Sequence, residues 1–154
     1  MELLPEAKET VISRALSYFD EGYACSQSVL LAYADYFNLD LPTAKRISST
    51  FGGGMGRLRK TCGAVTGAFM VLGLAHGNED PKDMDTKLNS YVMVRELYHK
   101  VEAIHGTVNC KELLTKYASE SDVLQRTHHK IICRQIVAEV SELLYDQLIK
   151  STEN

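Results

Sequence analysis

Apolar residues recur at helical spacing along the first third of the chain. In the first segment, Pro5 is an early helical residue, Gly22 ends the helix, and four apolar side chains share one face: Ala7, Val11, Ala15 and Phe19. The stretch that follows predicts a second helix from Cys25 to Phe37. A short third helix opens at Pro42 and ends before Gly52.

The middle of the chain predicts a buried helix followed by a long amphipathic one. The run from Cys62 to Gly77 is apolar on all sides, so we expect its helix at the centre of the fold. Asp80 and Pro81 are typical of a helix start, Asp83 reinforces it, and Gly106 ends the long helix. Five residues form its predicted apolar face: Leu88, Tyr91, Val94, Tyr98 and Val101.

The remaining sequence predicts two more helices. Asn109 and Glu112 have the spacing of a capping box, which starts a short helix at Cys110. The last helix has an apolar stripe wide enough to serve a partner as well as its own core: Ile132, Ile136, Val140, Leu143 and Leu144. No segment alternates like a strand. We therefore expect an all-α, compact single-domain bundle of about six or seven helices over residues 1–154.

Composition and charge exclude several classes of protein. The net charge is −3, without the basic surplus of a general nucleic-acid binder. The N-terminus lacks a signal-peptide pattern, and the longest apolar run is too short to cross a bilayer. We expect a cytoplasmic protein with no membrane insertion and no nucleic-acid partner. Disulfides are rare in that compartment, so four cysteines need a reason of their own.

The positions of the cysteines are the most informative feature of the sequence. Cys25, Cys62 and Cys110 each fall in the first turn of a predicted helix, where unpaired N–H groups and the helix dipole stabilise a thiolate. Cys62 has the strongest case, because basic residues precede it and Gly63 leaves it unscreened. Cys133 lies inside the last helix, where it is more typical of a small buried hydrophobe.

Six glycines lie in the seventeen residues around Cys62. Gly63 and Gly67, four residues apart, make a smooth ridge against which another helix can pack closely. The preceding loop is a candidate site for an anion or a thiol substrate, because its N–H groups converge at a helix start. The residues assigned to that site are Gly53, Gly54, Gly56 and Arg57.

The cysteines and the glycine element together resemble a known family. The chain is similar to the C_GCAxxG_C_C family, whose pattern is an early cysteine, a C-G-A-x-x-G element and two later single cysteines. Cys25 matches the first position, residues 62–67 match the central element, and Cys110 and Cys133 match the last two. The resemblance runs from about Gly22 to Leu148. It implies redox activity without fixing the reaction, the substrate or the metal content.

Three functions remain open at this point. The first is thiol–disulfide redox, with Cys62 attacking, Cys25 as its expected partner, and a small thiol or a redox protein as substrate. The second is a zinc or iron–sulfur site held by the four cysteines. Histidines could add ligands to that site: His76, His99, His105, His128 and His129. The third is a non-enzymatic module that binds a ligand or forms a homodimer.

Overall fold

The computed structural model describes residue 3, residues 5–117 and residues 125–153, with the backbone alone for residues 125–128. Across these residues the chain forms seven helices of seven or more residues and no β-strand. They are α1 (Lys8–Asp20), α2 (Cys25–Tyr33), α3 (Leu41–Ser49), α4 (Gly63–His76), α5 (Met84–His105), α6 (Cys110–Lys116) and α7 (Gln125–Thr152). The predicted all-α fold and helix number are confirmed.

Short turns and caps separate these helices. A 3-10 turn at Pro5–Ala7 precedes α1, and a second at Ala34–Phe37 extends α2 to the predicted end. Asp40 caps α3 by accepting a hydrogen bond from the N–H of Thr43 at 2.9 Å. Gly106 ends α5 with a left-handed φ of 77°, as predicted.

Helix α4 is the centre of the fold, as its apolar sequence predicts. Its first six residues, Gly63 to Ala68, are all buried, and so are Val71 and Leu72 one turn further on. It packs against α2, α5 and α7. All seven helices contribute buried side chains to the hydrophobic cluster around it. Fully burying a residue such as Leu72 stabilises the fold by about 1.5–3 kcal/mol.

The glycine ridge of α4 does bring another helix close. A Cβ added at Gly67 would lie 2.6 Å from the carbonyl oxygen of Ser26, on α2. One at Gly63 would lie 3.1 Å from the N atom of the same serine and 3.3 Å from the Cβ of Cys25. The bare backbone of α4 therefore lets the first turn of α2 approach closely, and it places Cys25 beside the start of α4.

One prediction about α5 is wrong, and a second is confirmed only in part. The helix begins at Met84, capped by Asp83, because Asp80 and Pro81 belong to a separate turn in which Asp80 accepts a hydrogen bond from the N–H of Lys82. The buried face of α5 consists of Ser90, Met93, Leu97, Val101 and His105. Of the predicted face, Val101 is buried and Val94 and Tyr98 are partly buried, but Leu88 and Tyr91 are 52% and 50% exposed.

The capping of α6 and the packing of α7 complete the fold. Asn109 accepts a hydrogen bond from the N–H of Glu112 at 3.1 Å, but the Glu112 carboxylate accepts from the Thr107 hydroxyl, so only half of the predicted capping box forms. The apolar stripe of α7 lies in the hydrophobic core of this chain. Its buried members are Ile132, Ile136, Val140 and Leu144, and Leu143 is partly buried beside them.

No helix in the described ranges combines the length and the apolar character needed to span a membrane.

Candidate functional site: a four-cysteine cluster beside a basic cleft

The starts of α4 and α6 lie side by side because the segments before them pair with each other. Thr61 and Asn109 form an isolated antiparallel bridge. The N–H of Cys62 donates to the carbonyl of Val108 at 2.8 Å, and the N–H of Cys110 donates to that of Lys60 at 2.6 Å. Cys62 is the N-cap of α4 and Cys110 is the first residue of α6. The starts of these two helices are therefore adjacent, and the close contact of Gly63 with Cys25 and Ser26 brings the start of α2 beside them.

All four cysteines lie in the described part of the chain, and each is a free thiol. Cys62 and Cys110 are buried, whereas Cys25 and Cys133 are half-buried. A negative charge on any of the other three cysteines would raise the pKa of Cys25, so the four thiols interact electrostatically. The side chains of Cys25 and Cys133 interact most strongly, because each is the largest cause of the pKa shift of the other.

The interaction between Cys25 and Cys133 shifts the pKa values of the two thiols in opposite directions. The interaction with Cys133 raises the pKa of Cys25, and burial raises it further. The same interaction lowers the pKa of Cys133, with the charge of Arg59 contributing in the same direction. One proton is therefore released from the pair more readily than the second, and a negative charge on Cys133 is favoured while Cys25 keeps its proton.

The prediction that Cys62 is the most acidic of the four thiols is wrong. Burial raises the pKa of Cys62 to about 12. The N–H groups of Ala64 and Val65 lower that pKa, which is the helix-start effect expected from the sequence. Burial outweighs it because the side chain is only 6% exposed and a thiolate there would lose its hydration.

The charge of Arg59 lowers the pKa of Cys110 and of Cys133, whereas the sequence predicted an effect on Cys62. Its guanidinium donates a hydrogen bond to the Sγ of Cys110 at 3.7 Å. Burial raises the pKa of Cys110, and Arg59 lowers it. Arg59 precedes Cys62 by three residues in the sequence. In the fold its side chain contacts α6, because the bridge between residues 61 and 109 holds the start of α6 beside this segment.

The glycine loop before Cys62 has an unusual backbone. Gly53, Gly54 and Gly56 have φ angles of 65°, 71° and 60°, as expected of glycines in a tight turn. Three non-glycine residues of the same loop are also left-handed: Met55 at 64°, Arg57 at 61° and Arg59 at 59°. Each such residue costs about 1–2 kcal/mol relative to a right-handed backbone. Hydrogen bonds across the loop hold it, among them Arg59 N–H to Gly53 O at 3.2 Å and Lys60 N–H to Gly54 O at 2.9 Å.

Close packing explains two of the loop glycines. A Cβ at Gly54 would lie 2.7 Å from the Cβ of Cys110, and one at Gly52 would lie 2.8 Å from that of Ala24. The loop therefore touches the start of α6 on one side and the start of α2 on the other. The sequence assigned four residues of this loop to an anion or thiol site. Two of them, Gly53 and Arg57, line a cleft together with Cys25. The other two do not line it: Gly54 is buried against Cys110, and Gly56 is exposed.

That cleft has a volume of ≈ 800 Å³ and lies between the glycine loop, the start of α2 and the first described turns of α7. The sequence did not single out Asp20, Lys130 and Arg134, which also line it. They lie on helices far apart in the sequence, so only the tertiary fold brings them to the cysteines. The full lining is Phe19, Asp20, Gly22, Tyr23, Ala24, Cys25, Gly53, Arg57, Arg59, His129, Lys130, Ile131 and Arg134.

The histidines considered as additional ligands are dispersed. His76 contacts Ser151, His99 contacts Glu102, and His105 is buried between Tyr117 and Glu139. His129 lines the cleft, and His128 lies outside the described side chains. Among the described residues no group of three or more His, Cys, Asp or Glu side chains is arranged to hold a metal ion.

Comparison with known proteins agrees with the cysteine pattern. The model of the family described as "Putative redox-active protein (C_GCAxxG_C_C)" matches residues 23–147, and the chain belongs to this family. The matched range begins two residues before Cys25 and includes all four cysteines, the glycine loop and most of α7. Neither a curated protein nor a solved structure matches the chain.

Proposed function

We propose that this protein carries out thiol–disulfide exchange through Cys25 and Cys133. The observation that carries the proposal is that Cys25 lines an open cleft and that its side chain interacts with that of Cys133. Cys62, the attacking sulfur expected from the sequence, is less suited to that role because it is only 6% exposed and does not line the cleft. Cys25 lines the cleft, and the neighbouring Cys133, whose pKa is lowered, takes the proton that Cys25 must lose to attack as a thiolate.

The two half-buried cysteines have complementary roles in the proposed reaction. Cys25 lines the cleft, so its Sγ meets a substrate disulfide and attacks one of the two sulfurs, while its proton passes to the Cys133 thiolate. The substrate S–S bond breaks, and the leaving thiolate takes the proton from Cys133. The regenerated Cys133 thiolate then attacks the Cys25 sulfur in the mixed disulfide and expels the second substrate thiolate. The substrate gains two electrons and the pair becomes a disulfide.

The test is to identify the disulfide that forms on oxidation. The reduced protein is treated with a neutral small disulfide, 2-hydroxyethyl disulfide, quenched with acid and an alkylating agent, and digested without reduction for mass spectrometry. We expect a peptide linking Cys25 to Cys133. Cys62→Ser and Cys110→Ser should still form this link, whereas Cys133→Ser should stop at a mixed disulfide on Cys25.

Two results would overturn the assignment of the pair. One is a dominant link that joins Cys62 to either half-buried cysteine, which would restore the sequence-based choice of nucleophile. The other is a reduced protein whose four thiols survive the oxidant while an unfolded control reacts fully. Circular dichroism of each serine variant, compared with the parent protein, keeps loss of folding apart from loss of chemistry.

A further inference from the structure

The cleft at Cys25 differs in charge from the rest of the protein. Four of its thirteen lining residues are arginine or lysine, and one is acidic. That acid, Asp20, is already paired: Arg134 donates to its two oxygens at 2.8 and 3.0 Å. The chain as a whole has a net charge of −3. The cleft beside the reactive thiols therefore has a local excess of positive charge in a chain whose net charge is negative.

The strained loop is what places Arg57 at the cleft. Its left-handed backbone folds the side chain back over Gly53, where an added Cβ would lie only 2.7 Å from the arginine Cγ. An ordinary residue at position 53 would push the arginine away. Strain of this kind persists only where the surrounding structure enforces it, and it is concentrated at ligand sites.

The remaining walls of the cleft match a molecule that is partly apolar. Phe19, Tyr23 and Ile131 line it together with the basic side chains. Its volume of ≈ 800 Å³ lies within the range of small-molecule sites, roughly 300–1,000 Å³. Guanidinium groups bind carboxylates through two parallel hydrogen bonds, which fixes the orientation of a ligand as well as its position.

We propose that the substrate of the Cys25–Cys133 pair is a small disulfide that bears carboxylate groups, bound in this cleft by Arg57 and its basic neighbours. The inference rests on the proposed function, because the cleft is called a substrate site on account of the cysteine that lines it. The carboxylates lie against the basic wall, and one sulfur of the substrate faces the Sγ of Cys25. The exchange leaves two small thiols and the protein disulfide, with no further oxidant or reductant.

Three small disulfides of different charge test the proposal, and the rate with each is divided by the rate of the same compound with free dithiothreitol, because the leaving thiols differ in pKa. They are oxidised glutathione, which is anionic, 2-hydroxyethyl disulfide, which is neutral, and cystamine, which is cationic. The rate of Cys25–Cys133 disulfide formation is measured with each at low and high salt. We expect the anionic disulfide to react fastest at low salt and to lose most of that advantage at high salt, because screening weakens the attraction.

Arg57→Gln should slow the reaction with oxidised glutathione by about fivefold, the effect of one unit charge near the ligand. The rate with the neutral disulfide should fall less, so that the ratio of the anionic to the neutral rate decreases. Arg95→Gln is the matched control, because Arg95 is exposed on α5 and does not line the cleft. Its rates should equal those of the parent protein with all three compounds.

The outcomes distinguish this inference from the function on which it rests. If the neutral disulfide oxidises the pair but the anionic one has no salt-sensitive advantage, the substrate class is wrong and the exchange function stands. Equal effects of Arg57→Gln on the anionic and neutral compounds would also overturn the substrate class. If none of the three oxidises the pair, the proposed function itself fails.

Discussion

The carbonyl oxygen of Ser26 occupies the space that a side chain at Gly67 would need. An ideal Cβ at this glycine would lie 2.6 Å from that oxygen and 3.1 Å from the Cα of the same serine. Ser26 is itself fixed, because its hydroxyl donates to the carbonyl of Ser48 at 2.7 Å in the buried interface with α3. The C-G-A-x-x-G element therefore sets the distance between α2 and α4, and with it the position of Cys25.

Gly67→Ala should destabilise the protein by about 1–3 kcal/mol, because the added methyl group meets backbone atoms that cannot rotate away. Gly73→Ala is the matched control on the same helix, where an added Cβ meets nothing within 4 Å. That change should be neutral or stabilising by up to about 1 kcal/mol, since alanine is the better helix former. Urea denaturation of the reduced variants measures both values, and equal effects would contradict the packing argument.

Arg59→Gln should raise the pKa of both Cys110 and Cys133, because the charge of Arg59 lowers both. The alkylation rate of each cysteine is followed against pH by mass spectrometry with a neutral reagent. The rate profiles of Cys110 and Cys133 should move to higher pH. Lys60→Gln is the control, since Lys60 is adjacent in sequence and exposed. A profile that moves only for Cys62 would instead support the sequence-based view of this basic segment.

Local patterns in the sequence were enough to predict most of the fold. The spacing of apolar residues predicted the helices, and Gly63 and Gly67 predicted that another helix packs closely against α4. The apolar face of α5 was misplaced because the helix carries two apolar stripes. One includes the buried Met93 and Leu97, and the other includes Leu88, half exposed. Periodicity alone does not say which stripe meets the core.

The candidate site was only partly predictable, for a different physical reason. Three cysteines at helix starts are a local signal, but the contact between Cys25 and Cys133 depends on how α7 packs against α2. The burial of Cys62 also depends on the tertiary fold, and it reverses the expected acidity. Helix-end electrostatics can be predicted from sequence, whereas the desolvation that opposes them cannot.

The raised pKa of Cys62 should make its contribution to stability depend on pH. The folded state holds this proton up to about pH 12, whereas the unfolded thiol releases it near its ordinary value of 9.0. The contribution is fully present below pH 9 and declines above it, by up to about 1.4 kcal/mol per pH unit. The destabilisation caused by Cys62→Ala should therefore shrink between pH 8.5 and 10.5, measured by urea denaturation under reducing conditions. A constant difference across this range would mean that the thiol is not held neutral by burial.

His105 joins the segment after the Cys110 helix to the Cys133 helix. Its Nδ1 is 2.6 Å from the hydroxyl of Tyr117, and its Nε2 is 2.9 Å from a carboxylate oxygen of Glu139. The ring is buried, so removing it leaves two partly buried polar groups, the Tyr117 hydroxyl and the Glu139 carboxylate, without their partner. His105→Ala should destabilise the protein by about 1–3 kcal/mol for that reason.

His99→Ala is the matched control for this prediction, because His99 lies on the same helix and also contacts a glutamate, Glu102, at 3.3 Å. Its side chain is 67% exposed, so the substitution should change stability by less than about 0.5 kcal/mol. Hydrogen exchange gives a second measure of the link: His105→Ala should speed exchange in α6 and in the part of α7 near Glu139, while α1 keeps its protection. If exchange instead increases uniformly over all helices, His105 contributes to general stability and does not specifically hold the two cysteine-bearing helices together.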